Sequence, residues 1–144
     1  ILCLFYAVTF QDVSWASHNY IPFKEILRYD FGSGLFYKNI FGNVLLFLPY
    51  GIFIAKYVKL KSPLIVGMIG FITSLSIEVI QFLIGRVFDV DDIILNVLGC
   101  LLGFFIYNIF KKFNSKLPSI FHKDIFWDII SVLVLGGLIW FLIP

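Results

Sequence analysis

The sequence predicts an all-α fold, a polytopic membrane helical bundle of about five transmembrane helices with the first truncated. Three observations point there. The chain is 60% hydrophobic and 14% charged, where a soluble domain has roughly 45–50% apolar and about 25% charged residues, and its mean hydropathy is +0.98. Its apolar residues gather in runs near the roughly 20 that a membrane-crossing helix needs, not in the short alternating stretches of a barrel. Its lysines gather in alternate turns between those runs. So few charges cannot cover 144 residues of apolar surface in water, and the chain is read as an integral membrane protein.

Ile1–Phe10 is read as the end of a first span, and because the chain opens on Ile it looks like a fragment or trimmed piece. No small-residue site of a cleaved signal peptide is evident. Gln11–Ile40 is a loop whose aromatic residues, among them Trp15, Tyr20 and Phe23, suit the membrane–water boundary. A re-entrant or amphipathic part of it is expected to lie over an acidic layer. The second span is Phe41–Tyr57, where Pro49 removes a backbone hydrogen bond and is expected to kink the helix beside Asn43. Pro63–Ile84 is the third span, Asp92–Phe110 the fourth and Ile125–Ile143 the fifth. Within the fourth, Gly99-Cys-Leu-Leu-Gly103 is a small-xxx-small pattern that permits close helix approach. No repeat or soluble domain interrupts the series, so residues 1–144 form one domain.

Lysine and arginine placement sets the expected orientation. Lys56, Lys59 and Lys61 lie between the second and third spans, and Lys111, Lys112, Lys116 and Lys123 between the fourth and fifth. In an up-and-down bundle these turns share one side, expected to be cytoplasmic. Gln11–Ile40, the acidic turn Arg86–Asp92 and the C-terminus then face outward, although Lys24, Arg28 and Lys38 run against the trend. Glu78 lies roughly 9 Å below the outer end of its span at 1.5 Å per residue.

That orientation gathers a candidate polar site in one outer layer: Asn43, Glu78, Gln81, Arg86, Asp89, Asp92 and Asn96. A carboxylate within hydrocarbon needs a partner, a proton or a function. The set admits a hard divalent cation held by oxygen ligands, or general acid–base chemistry by a desolvated Glu78. Arg86 offers bidentate contact to a phosphate or carboxylate. The structural alternative is that Glu78 pairs with Arg86 or a neighbouring amide and ties helices together. Asp91 and Asp92 also stand where a helix starts, and for Asp91 a capping role is favoured.

Other chemistry is not signalled. The chain has no G-x-S-x-G, H-E-x-x-H, Gly-rich phosphate loop or Walker motif, so no catalytic residue is assigned. No second His accompanies His18 on the outer side, and Cys3 and Cys100 lie in apolar runs, so no metal site, cofactor or disulfide framework is expected. A formal net charge of +2 does not point to nucleic acid.

Taken in order, the polar residues resemble the VanZ-like family of small bacterial membrane proteins. The resemblance rests on Asn19-x-x-Pro22-Phe23, Gly42-Asn43-x-x-x-Phe47-x-Pro49-x-Gly51, Glu78-x-x-Gln81, and Arg86-x-x-Asp89-x-Asp91-Asp92-x-x-x-Asn96-x-x-Gly99-x-x-x-Gly103. It covers about Asn19 to Phe110. It implies a multi-pass protein of the bacterial cell membrane associated with glycopeptide resistance, particularly to teicoplanin, and no established reaction. The first expectation is a binding protein of the cell envelope, taking membrane lipids, a lipid-linked cell-wall precursor or a glycopeptide at the outward polar site. Asn19, Pro22 and Phe23 would supply loop contacts. The alternative is an intramembrane enzyme in which a carboxylate acts as acid or base on a lipid or peptidoglycan intermediate, so whether the chain is an enzyme stays open.

Overall fold

The structure, a computed structural model, describes residues 18–112 and 124–142. Among the described residues five helices follow in order: a short α1 (Lys24–Arg28), then α2 (Gly34–Phe53), α3 (Pro63–Leu83), α4 (Val90–Lys112) and α5 (Asp124–Leu142). α2 runs on through a π-helical turn, Ile54–Val58. With that turn, α2 is long and apolar enough to cross a membrane, as are α3 and α4; α5 carries a shorter apolar stretch, Ile125–Gly137. The all-α membrane bundle expected from the sequence is the observed fold. The expected first span, Trp15, Lys116 and Lys123 lie outside the described residues.

Local chemistry explains the helix ends. Ser33 is extended and its Oγ accepts from the Phe36 amide at 3.1 Å, so α2 begins at Gly34. That start is about two turns before the hydrophobic run, because an N-cap satisfies first-turn amides whatever the hydropathy of the residues that follow. α3 opens with Ser62 as cap and Pro63 in its first turn, a position where the missing amide hydrogen is not needed. It closes at Gly85, whose φ of 85° suits a glycine-terminated helix. The chain then turns back, with the Arg86 amide donating to Gln81 O at 2.9 Å.

α2 continues through Pro49, which is buried and lines an apolar groove on the α5 side. The departure from α geometry comes later, where the Lys59 amide donates to Ile54 O at 3.1 Å and Lys59 takes a left-handed conformation.

The centre of the bundle is a close seam between α2 and α4. A Cβ added at Gly99 would overlap the Val44 carbonyl, one at Gly103 the Leu48 carbonyl, and one at Gly51 the Cys100 carbonyl. Backbones can meet this closely only where a glycine removes the side chain from one side of the contact. α3 closes on the other face of α4, with Gly70 against Cys100 and Cys100 Sγ reaching Val66 O at 3.9 Å. Tyr50 and Thr73 hydroxyls, 3.0 Å apart, join α2 to α3. Phe47, Val66 and Cys100 are fully enclosed at the middle of this packing.

Candidate functional site

The seam and its α3 neighbour bring one end of three helices together. On α3, Ser74, Ile77, Glu78 and Gln81 follow the spacing of a single helical face, and all are buried. α4 supplies Asp92 and Asn96, one turn apart. α2 supplies Asn43, just above the point where Gly99 meets Val44.

Hydrogen bonds hold these side chains in register. Asn43 Nδ2 donates to Asp92 Oδ1 at 2.6 Å, and Asn96 Nδ2 donates to Ser74 Oγ at 2.9 Å. The Asp89 backbone amide donates to Glu78 Oε2 at 3.0 Å. Between them lies a cavity of about 60 Å³. Asn43, Glu78, Gln81, Arg86, Asp92 and Asn96 all line it, joined by Lys38 and Asn39. Glu78 and Asn96 are each 2% exposed. Asn96 Oδ1 is buried with no hydrogen-bond partner among the described residues. A cavity of this size takes a few water molecules or one compact polar group; pockets for drug-sized ligands run roughly 300–1,000 Å³.

Arg86 sits in the loop after α3, half-buried. Burial draws its guanidinium below its ordinary value, while the Glu78 and Asp92 carboxylates act in the opposite sense and favour the charge. Among the described residues, no group of three or more His, Cys, Asp or Glu side chains is arranged to hold a metal.

Asp89 is the one residue of the predicted set that does not line the cavity. It caps α4 instead: its Oδ1 accepts from the Asp91 amide at 2.9 Å and from Asn19 Nδ2 at 2.8 Å. Burial raises its carboxyl above the ordinary aspartate range, and the Asn19 and Asp91 bonds pull the other way. Asp91 is a cap too, but for a different helix. Its oxygens accept from the backbone amides of Phe23, Glu25 (2.8 Å) and Ile26 (3.2 Å), the start of α1.

The loop residues follow from this. Asn19 is 1% exposed and fixed by its backbone to Phe88 and Val90, so it pins the loop rather than presenting itself to a ligand. His18 Nδ1 accepts from the Phe88 amide at 3.0 Å. Pro22 and Phe23 are exposed.

The sequence matches the VanZ/LLP1 family over residues 1–111, which takes in α1 to α4, the cavity and both caps. The chain belongs to the VanZ/LLP1 family. No curated protein and no solved structure matches it.

The VanZ/LLP1 chain has a second cavity, about 490 Å³, at the opposite end of the bundle. It is an apolar groove between α2 and α5, closed at one end by Lys56 and Asp128. Lys56 Nζ lies 2.7 Å from Asp128 Oδ1, and the Tyr57 hydroxyl donates to the same oxygen at 2.9 Å. Lys56, counted above among the loop lysines, is buried, because the π turn rotates it onto α5. The sequence carried one signal for this pair, a lone Asp within the fifth apolar run. Lys38 and Ser74 also went unassigned. Ser74 stands one turn from Glu78 on the same face and was findable by that spacing; Lys38 was not.

Proposed function

We propose that this VanZ/LLP1 protein is a bacterial envelope membrane protein that binds the polar head of an amphipathic envelope lipid or lipid-linked cell-wall precursor, and that this binding underlies resistance to glycopeptides such as teicoplanin. The supporting observation is the small polar cavity where three membrane-length helices end, with an unpartnered amide oxygen buried in its lining. A buried acceptor left without a donor is destabilising by about 1–3 kcal/mol, which favours a site that receives a donor from a bound group. The volume suits the head alone, with the rest of the molecule left in the bilayer. The lysine-rich turns at the other end favour an outward orientation for this site.

The test pairs lipid retention with susceptibility. Wild type, Glu78→Gln and Arg86→Ala are purified in mild detergent and weighed by native mass spectrometry, and host cells expressing each are challenged with teicoplanin. The reading expects bound lipid on the wild type, at least tenfold less on Arg86→Ala, and a parallel fall in resistance. Equal lipid and equal resistance in folded variants would overturn it. An intramembrane enzyme is the second reading, favoured by the sharing of one cavity by Glu78 and Asp92. Its sign would be a chemically altered lipid after incubation with purified protein.

A further inference from the structure

The formal charges around the polar cavity cancel within its own lining. Glu78 and Asp92 stand against Lys38 and Arg86, and the two carboxylates already favour the charge of the Arg86 guanidinium. What the lining lacks is a neutral donor. Among the described residues, Asn96 Oδ1 is the one buried side-chain polar atom without a hydrogen-bond partner. Asn96 is 2% exposed, and its Nδ2 is committed to Ser74.

Space and surroundings limit what can supply that donor. About 60 Å³ takes one compact group. An ammonium would shed its water with no unbalanced carboxylate to receive it, and burying a charge without a partner is strongly unfavourable. A hydroxyl carries no charge, donates one hydrogen and also accepts. Gly42 and Leu46 line the same space and offer apolar contact to the carbon that bears it. Glu78, Gln81 and Asn96 form the enclosed side, whereas Asn39 on the lining is exposed. A group can enter past Asn39 while the rest of its head stays outside.

We propose that the cavity takes a single uncharged hydroxymethyl group of a lipid head, with its O–H donated to Asn96 Oδ1. This rests on the lipid-head reading above and names the chemistry of the part that enters. Glycerol and sugar heads both present that group. Choline heads and plain alkyl heads do not.

The full chain is placed in phosphatidylcholine bilayer discs carrying equal mole fractions of phosphatidylglycerol, phosphatidylpropanol and a monoglucosyl diacylglycerol. Retained lipids are counted by native mass spectrometry. Phosphatidylpropanol has the charge of phosphatidylglycerol and lacks its hydroxyls. The expected result is about tenfold or greater enrichment of a hydroxyl-bearing lipid over phosphatidylpropanol and phosphatidylcholine, the scale of one buried hydrogen bond. Enrichment of phosphatidylglycerol alone assigns the glycerol head, of the glucosyl lipid alone the sugar, and of both the hydroxymethyl group itself. Asn96→Leu should abolish the preference, with helicity by circular dichroism confirming a folded variant; a folded variant that keeps it would overturn the contact. The wild-type comparison decides even where that variant does not fold. Equal retention of phosphatidylglycerol, phosphatidylpropanol and the glucosyl lipid, all above phosphatidylcholine, would overturn the hydroxyl, leave water as the partner of Asn96 and keep head-group binding standing. Retention of no lipid would overturn both.

Discussion

Two aspartates of one turn have separate tasks, and the difference is set by single hydrogen bonds. Asp91 accepts from three amides at the start of α1 and from Asn19, so its charge meets donors on every side. Asp91→Asn puts an amide hydrogen against an amide hydrogen, and a lost cap is destabilising by about 1 kcal/mol, up to 2. Hydrogen exchange at Glu25 and Ile26 should quicken accordingly; unchanged exchange would contradict the cap. Asp89 works under burial, which raises its carboxyl above the ordinary range. The folded state therefore holds that proton at pH values where the unfolded chain has released it. The resulting stability is full below the unfolded value and is lost as pH rises through the folded one. Asp89→Asn keeps the acceptor oxygen and removes the charge, so melting midpoints taken from the aspartate range upward should lose this decline. A variant with the wild-type slope would contradict the assignment. At this scale the sequence revealed the residues and not their partners. Spacing put Asp91 at a helix start and Asp89 in the polar set, but Asp91 caps a helix more than sixty positions away, which no local pattern reveals.

At the scale of elements, the glycine seam decides whether the site exists. Gly99 on α4 meets Val44 on α2, one residue from Asn43, so the distance between these helices sets the Asn43–Asp92 bond. Gly99→Ala drives a methyl into the Val44 carbonyl, and overpacking of this kind destabilises by about 1–3 kcal/mol. A lower Tm in detergent together with weakened lipid retention is expected; an unchanged Tm would contradict the close seam. The small-xxx-small pattern made this contact legible from sequence, since glycine spacing on a helix face depends on nothing remote. The π turn was not legible. The lysine grouping puts Lys56 with the turn lysines, and only its burial and its bond to Asp128 on α5 show that it turns inward.

For the whole molecule, composition alone fixed the class, because a chain this apolar has no stable arrangement in water. The polar cavity was partly legible as well: helical spacing put Glu78 with Gln81 and Asp92 with Asn96, while Lys38 joined through a helix start that hydropathy does not mark. Lysine placement gives an expectation for orientation, with the cavity outward. Impermeant thiol reagents on intact cells should label Asp30→Cys and leave Lys61→Cys unlabelled, with the unmodified chain as blank; the reverse would turn the bundle over and put the cavity on the cytoplasmic side. The proposed function puts the head of a lipid in this cavity. A density map of the full chain in discs of bacterial lipid extract tests it most directly. Lipid binding predicts non-protein density running from Arg86 to Asn96 and continuing into the acyl layer. A cavity filled by the Arg86 guanidinium folded onto Glu78, with no lipid density at its mouth, would contradict it.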